Sequence, residues 1–331
     1  MSRIYAILLF LISCLTLSLS GCLPSSFHTP KLVLLDHALV GKVWDVRQQS
    51  FIDQSALTNQ ALASEYLLLG ERHDNLVHHQ HQAWFIETLA KEKHQASVAF
   101  EMIDNYQGDR ITKQSIASVD DLITKLNRSK SNWQYETRYR GIFAAALNAG
   151  FVIEAANLNR KRLMHIVKQG EDNLPADYRR MLEKTPFSPP QFRALQIEIN
   201  QAHCNMLGVT SSRAMALGQR LRDAIMAESL IRSKADHKVL IAGMGHVRND
   251  RAVPLYMRSN LKVKADDHRI LSVGFIEVDN NMNRVSDYAK YWGDETLPFD
   301  IIWFTPKLER EDACAELRKH FRKSSSGHSS A

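Results

Sequence analysis

A series of short, continuous apolar segments separated by helical patterns constrains the fold more than any other feature of the chain. The clearest segments are residues 66–69, 97–100, 151–153, 239–242, 270–278 and 300–304. They lack the polar alternation of strands with one face in water, and they are therefore typical of parallel strands covered on both faces. A helix is predicted at residues 76–93, where Ala83, Ile86 and Ala90 share one face. The pattern predicts an α/β fold with a mainly parallel sheet flanked by helices.

The stretch between the third and fourth predicted strands contains no strand pattern. Pro175, Pro186, Pro189 and Pro190 divide it into short helices. We predict a smaller helical lobe at residues 158–232, inserted between the two parts of the α/β domain at 37–157 and 233–310. The last residues, 324–331, are rich in serine, glycine and histidine, and we expect them to be disordered.

The N-terminus has the pattern of a lipoprotein signal peptide. Arg3 precedes an apolar run that is too short to span a bilayer, which disfavours the alternative of an uncleaved transmembrane helix. The run ends at Leu19-Ser20-Gly21-Cys22, which resembles the lipobox cleaved by lipoprotein signal peptidase. We expect cleavage to remove residues 1–21 and Cys22 to carry a lipid anchor that includes palmitate. Residues 22–36 would then form a tether. Leu23 stands where an aspartate would favour the inner membrane, so we expect an outer-membrane anchor with the domain facing the periplasm.

Charge and cysteine content limit the possible binding partners and the cellular compartment. The formal net charge is +6, but basic residues are interspersed with acidic ones, which argues against nucleic acid as a partner. Cys204 and Cys314 lie within the predicted mature domain. They either pair in an oxidising periplasm or remain free core thiols, and the sequence leaves both options open.

Polar side chains follow four of the predicted strands at the point where each strand ends. In chain order they are Glu71 and His73, then Glu101, then Asn157 and Arg160, then His246 and Arg248. Ligands of open α/β sheets bind beyond the carboxyl ends of the strands, so we expect these side chains to form one site. Two structural alternatives remain: Glu71 and His73 as residues that favour a helix start, and Glu101 as a buried acid paired with Arg248.

Two further motifs are weaker. His78, His79 and His81 could be read as a metal site, but the H-E-x-x-H pattern is absent and we expect surface or supporting roles. Gly243-Met244-Gly245 lacks the third glycine of a dinucleotide loop. No G-x-S-x-G sequence is present, which disfavours a serine nucleophile.

Several short motifs run in order along the chain, within about residues 40 to 306. They are Gly70-Glu71-x-His73-Asp74-Asn75, His78-His79, Gln82, Phe100-Glu101-Met102, Tyr139-Arg140-x-Ile142, Ala156-Asn157-x-x-Arg160, His203-Cys204, Gln219-x-x-Arg222-Asp223-Ala224-x-Met226-Ala227, Gly243-x-Gly245-His246-Val247-Arg248 and Trp303-Phe304-Thr305-Pro306. Together these motifs resemble the ChaN family of haem-binding lipoproteins, which is grouped with Tiki-type proteases and erythromycin esterases.

The resemblance implies a parallel-sheet domain with a helical lobe, haem bound at a homodimer interface, and a tyrosine on the haem iron. Tyr139 is the first choice of ligand because Arg138 and Arg140 flank it and suit a phenolate or the propionates. Tyr135 and Tyr106 are rivals, and Tyr139 could instead pack at a helix start with its hydroxyl in water. The residues expected to bind the cofactor are Tyr139, Arg140, Glu71, His73, Glu101, Asn157, Arg160, His246 and Arg248.

The leading functional hypothesis is a haem-binding lipoprotein of the outer membrane that acts in haem or iron acquisition, with an outer-membrane haem receptor as a further partner. The rival is a metal-dependent hydrolase in which Glu71 or Glu101 is the general base and His73 and His246 bind metal or polarise a carbonyl. In a third hypothesis, the polar cluster only stabilises the fold. We expect the cluster mainly to bind and to organise its loops.

Overall fold

The structure, a computed structural model, describes residues 31–108, 110–111, 116–128, 133–264, 267–292, 296–312, 314–315 and 318. The predicted signal peptide, Cys22 and the predicted disordered tail at 324–331 lie outside these residues. Within the described ranges, no helix is both long enough and apolar enough to cross a membrane.

A sheet of eight strands forms the central layer. In chain order the strands are β2 (Val43–Asp45), β3 (Ser50–Ile52), β4 (Tyr66–Glu71), β5 (Ala96–Asp104), β6 (Val152–Asn157), β7 (His237–Gly243), β8 (Ile270–Glu277) and β9 (Ile301–Thr305). Their order in the sheet is β3-β2-β9-β8-β4-β7-β5-β6. From β9 to β6 all neighbours are parallel, whereas β2 pairs antiparallel with both β3 and β9. The fold is therefore α/β with a mainly parallel sheet, as the sequence predicts.

Helices cover both faces of this sheet. They are α1 (Gln54–Ala63), α2 (Leu76–Lys91), α3 (Asn105–Gly108), α4 (Val119–Asn127), α5 (Arg140–Asn148), α6 (Arg160–Lys168), α7 (Ala176–Glu183), α8 (Pro189–Ala202), α9 (Val209–Arg232), α10 (Val253–Leu261) and α11 (Val285–Tyr291). A π-helical turn, Tyr135–Tyr139, leads into α5. One hydrophobic core lies on each face of the sheet, and Phe85 and Phe143 belong to one while Leu163 and Leu221 belong to the other.

Helices α6 to α9 occupy the stretch predicted as the helical lobe. They are not an independent body, because Leu163, Leu217 and Leu221 share a core with Leu68 and Leu240 of the sheet. The long helix α9 buries Leu217, Leu221 and Ala224, which are apolar residues at helical spacing. The lobe is thus held on the sheet by apolar burial.

Two short strands and a disulfide join segments distant in sequence. β1 (Leu32–Val33) pairs antiparallel with β10 (Lys307–Leu308), so the predicted tether at 22–36 overlaps the folded domain at its end. Cys204 and Cys314 form a disulfide with an S–S distance of 2.06 Å. Of the two states that the sequence leaves open for these cysteines, the structure has the paired one.

Candidate functional site

The carboxyl ends of β4, β5 and β7 bring the predicted polar residues together. Parallel pairing places Glu71 beside Gly243, and Phe100 beside Ile241, so Glu101 lies one residue further along the same edge. A Cβ on Gly243 would lie 2.9 Å from Nε2 of His73. Glycine therefore leaves the space that the His73 imidazole fills.

Glu71 is buried, and three side chains lie within 3.0 Å of its carboxylate oxygens. His73 donates from Nδ1 to Oε1 over 2.8 Å, and the Tyr139 hydroxyl donates to the same oxygen over 2.8 Å. Nε2 of His79 lies 3.0 Å from the other oxygen, without the alignment of a hydrogen bond. Burial alone would raise the pKa of Glu71, but the imidazoles of His79 and His73 outweigh it and lower the pKa to about 2.

Glu101 organises the second half of the cluster. It accepts a 2.8 Å hydrogen bond from the backbone N–H of Gly243, and its carboxylate lies 3.4 Å from Nε2 of His246 and 3.7 Å from Nε2 of His73. Nδ1 of His246 donates to Asp223 over 2.6 Å. Burial opposes the charge of His246, yet Glu101 and Asp223 outweigh it and raise its pKa to about 10. The pKa of Asp223 is raised to about 6, because burial exceeds the attraction of His246.

We call the resulting set the buried cluster; it comprises Glu71, His73, His79, Glu101, Tyr139, Asp223 and His246. Only the His73 side chain is substantially exposed, at 35%, and its ring packs edge-on against Trp133. Burial lowers the pKa of His73, but Glu101 and Glu71 outweigh it, so the pKa is raised. The arrangement presents one imidazole to solvent and backs it with two carboxylates, which is the geometry of a group that exchanges protons.

The described residues of the cluster are not arranged as a metal centre. Across the described ranges, no three or more His, Cys, Asp or Glu side chains have the geometry to hold a metal ion. Surface or supporting positions are predicted for His78, His79 and His81; His78 and His79 are buried, so the surface alternative is wrong for these two. His78 bonds to Thr305 and to the backbone of Arg72, whereas His79 belongs to the buried cluster.

The other predicted site residues lie outside the cluster. Arg140 is partly exposed and pairs with Glu136 and Asp120, so it does not flank the Tyr139 hydroxyl as expected. Asn157 supports the cluster indirectly, because its amide donates to the backbone oxygen of Glu101 over 2.8 Å. Arg160 is exposed at the start of α6.

The alternative pairing of Glu101 with Arg248 is wrong. Arg248 instead contacts Asp250 at 2.9 Å and Glu198 at 3.5 Å, while Glu101 faces histidines and a backbone N–H. The loop after β7 carries His246 toward the sheet edge and Arg248 away from it. A sequence cannot show this divergence, since it depends on the short 3₁₀ turn Met244–His246.

Sequence reasoning missed His79 and Asp223 as members of the cluster. The sequence could have indicated Asp223, because this acid stands next to the apolar stripe of α9, between Leu221 and Ala224. An acid at the edge of a buried helix face needs a partner, and His246 is that partner. His79 is harder to find from the sequence, since it directly follows His78 on α2 and both side chains are buried.

The three tyrosines considered as iron ligands differ sharply in exposure. Tyr139 and Tyr135 are fully enclosed, and their hydroxyls donate to Glu71 and to the backbone oxygen of Met102, respectively. Tyr106, in α3 just beyond β5, is 57% exposed. The expectation that the Tyr139 hydroxyl could lie in water is therefore wrong.

The chain is similar to one known protein family over most of its described length. The family model described as haem-binding uptake, Tiki superfamily, ChaN matches residues 57–257. The chain belongs to this ChaN family. The match spans the strand-end residues Glu71, Glu101 and His246, so the buried cluster lies within the family region.

One solved ChaN structure shares this fold. The ChaN protein of Campylobacter jejuni, described with cofacially bound haem, is 18% identical with a TM-score of 0.61, covering 81% of this chain and 97% of that one. An erythromycin esterase, EreC, is 10% identical with a TM-score of 0.45, covering 83% and 99%. No curated protein matches the chain by sequence.

Haem fits the exposed tyrosine better than the buried one. A ferric iron needs an open phenolate, but the Tyr139 oxygen is occupied by Glu71. Burial and the charge of Glu71 also raise the pKa of Tyr139, which opposes phenolate formation. The Tyr106 side chain is exposed, and the residue before it, Asn105, accepts a 3.2 Å hydrogen bond from the backbone N–H of Asn159 at the start of α6.

Proposed function

We propose that this chain is an exported, lipid-anchored haem-binding protein of haem or iron acquisition, and that haem binds at the surface around Tyr106. The observation that carries the proposal is the exposure of Tyr106, at 57%, beside the first turn of α6. Membership of the ChaN family supports haem as the ligand. Tyr106 replaces Tyr139 as the proposed iron ligand.

The first turn of α6 supplies the charges that an anionic porphyrin needs. Arg160, Lys161 and Arg162 are exposed, and none of them forms an ion pair with a residue that the structure describes. Three cations at a helix start are unfavourable for the helix dipole, so helix stability does not account for them. Haem propionates would pair with them while the phenolate oxygen of Tyr106 binds ferric iron.

Haem titration of matched tyrosine variants tests this site. Tyr106→Phe should lose the tyrosinate bands of the ferric haem spectrum and weaken binding on the order of 10–100-fold, as removal of a ligand or its support commonly does. Tyr139→Phe and Tyr135→Phe serve as controls and should retain the spectrum. A normal spectrum in Tyr106→Phe, with loss of the bands in Tyr139→Phe, would return the ligand to the interior.

Export and anchoring form the second part of the proposal. The signal pattern ending at Cys22 supports it, and so does the Cys204–Cys314 disulfide, because disulfides persist in oxidising compartments. Globomycin should accumulate the precursor, and Cys22→Ser should abolish palmitate labelling. Labelling that persists in Cys22→Ser would contradict a lipid anchor at this position.

The partners follow from the same proposal. Haem at the exposed Tyr106 surface can be shared with a second copy of the chain, which would form the homodimer implied by the family resemblance. A haem-dependent shift from monomer to dimer in sedimentation would support this, and an outer-membrane haem receptor would be the source of haem.

A hydrolase is the second candidate, favoured by one observation. His73 is 35% exposed and lies between Glu71 and Glu101, so it can activate a water molecule. Among the residues that the structure describes, no three His, Cys, Asp or Glu side chains are arranged to hold a metal ion, so we consider a hydrolase without metal beside the metal-dependent form expected from sequence. Screening ester and peptide substrates, together with metal analysis, tests this candidate. Turnover that Glu71→Gln abolishes would make hydrolysis the leading function.

A further inference from the structure

Helix α8 is held on the molecule by few buried contacts. Only Leu195 of its 14 residues is buried, and Ile197 is 57% exposed. Beyond Leu195, the carboxylate of Glu198 lies 2.8 Å from Arg251 and 3.5 Å from Arg248. Segments with so little apolar burial open more readily than the core of a domain.

The same helix walls off a cavity beside the buried cluster. A cavity of about 240 Å³ lies between α8, α9 and the turn after β7. Leu195, Ile199 and His203 line its α8 side, and Gln219 and Asp223 line its α9 side. Asp223 bonds to His246, and the Gln219 amide nitrogen lies 3.3 Å from Nδ1 of that ring. Displacement of α8 would therefore expose the His246 end of the cluster.

The end of α8 is the point at which the disulfide is attached. Helix α8 is followed by His203 and then by Cys204, which has φ +60°, and by Asn205, which has φ +57°. A left-handed conformation is unfavourable for cysteine, although asparagine adopts it more readily, so the surrounding structure has to maintain it at Cys204. The bond to Cys314 is a covalent constraint placed at this turn.

The other end of the link is anchored at the edge of the sheet. Arg310 donates to both oxygens of Asp74 at 2.5 and 2.7 Å, and to both oxygens of Glu277 at 2.8 and 2.7 Å. Asp74 and Glu277 stand close to the carboxyl ends of β4 and β8. Cys314 lies four residues after Arg310. Through the disulfide and Arg310, α8 is therefore linked to the strand-end face of the sheet.

We propose that the Cys204–Cys314 disulfide locks α8 over the His246 end of the buried cluster, and that its reduction releases α8 and opens the cavity beside Asp223. Reduction by a dithiol transfers two electrons and two protons: the S–S bond breaks, two cysteine thiols form, and the dithiol becomes a disulfide. Access to the cluster through this cavity does not depend on haem binding.

Hydrogen exchange on the full chain tests the proposal. Exchange of α8 amides, residues 189–202, should rise about tenfold or more after reduction with dithiothreitol, as expected for release of a weakly packed segment. Modification of His246 by diethyl pyrocarbonate should rise in parallel. Strand β4, residues 66–71, and helix α4, residues 119–127, serve as internal controls and should be unchanged.

Variants separate the disulfide from side effects of the reductant. Cys204→Ser and Cys314→Ser should each show the fast α8 exchange without dithiothreitol and should not respond to it further. Equal α8 exchange and equal His246 modification in oxidised and reduced protein would overturn the proposal. Loss of protection in β4 together with α8 would also overturn it, because the disulfide would then hold the whole fold.

Discussion

At the scale of single residues, the buried cluster is organised by shared acceptors. One oxygen of Glu71 accepts from both His73 and Tyr139, so the positions of two elements, the β4–α2 loop and the turn before α5, depend on one carboxylate. A buried acceptor set of this kind is costly to leave incomplete. The hydroxyl of Tyr139 is therefore expected to matter for stability.

Tyr139→Phe removes that hydroxyl with little change in packing. We expect the free energy of unfolding to fall by about 1–3 kcal/mol, because Glu71 loses a donor in the interior. Tyr106→Phe is the matched control, and we expect a change within about 0.5 kcal/mol since its ring is exposed. Urea denaturation measures both. Equal stabilities of the two variants would mean that the Tyr139–Glu71 bond contributes little.

Residue identities could be predicted from the sequence better than side-chain directions. The strand-end rule predicts that Glu71, His73, Glu101 and His246 converge, and they do. It does not predict that Tyr139 points inward while Arg140 points outward. That choice depends on the π-helical turn Tyr135–Tyr139, whose wider spacing changes the face on which each side chain lies.

At the scale of elements, the close approach of β4 and the loop after β7 requires a glycine. A Cβ on Gly70 would lie 2.3 Å from Cγ2 of Val247 and 3.1 Å from the backbone of Met244. Because the neighbouring backbone cannot yield as a flexible side chain would, the strand and loop would have to separate. The site depends on this approach, since His246 sits in the same loop.

Gly70→Ala is therefore expected to destabilise the fold by about 1–3 kcal/mol through overpacking. Gly141→Ala is the control, because nothing lies within 4 Å of a Cβ at this position in α5. The control should be neutral or up to about 1 kcal/mol more stable, since alanine favours helix. Thermal or urea unfolding of the pair measures the difference. A fully stable Gly70→Ala would show that the loop after β7 moves freely.

Elements could be predicted in proportion to the apolar surface that they bury. The parallel strands β4, β7 and β8 are almost wholly buried, and their sequence patterns mark them plainly. The antiparallel pair β2 and β3 has three residues per strand and one exposed aromatic, Phe51. So short a segment carries too little periodicity for a prediction.

At the scale of the whole molecule, the long-range links are those that a sequence shows least. The disulfide joins residues separated by 110 positions, and β1 pairs with β10 near the opposite end of the chain. Neither local propensity nor strand periodicity reports on such pairs. Two cysteines in a predicted exported chain made a disulfide possible, but only the arrangement of lobe and tail brings them together.

The buried cluster also couples global stability to pH, and the alkaline side gives the sharper test. The pKa of His246 is raised from 6.5 to about 10, so its stabilising contribution is complete below pH 6.5 and is lost as the pH rises toward 10. Glu71 acts on the acid side: its pKa is lowered to about 2, so its contribution is complete above pH 4.5 and is lost as the pH falls.

Because His246 loses its charge on the alkaline side, wild-type protein should lose stability between about pH 6.5 and pH 9.5, and His246→Gln should lose much less over that range. Urea midpoints at several pH values measure this, with Tyr106→Phe as a surface control that keeps the wild-type slope. Parallel pH profiles for wild type and His246→Gln would show that the Glu101–His246–Asp223 chain does not carry the charge assigned to it.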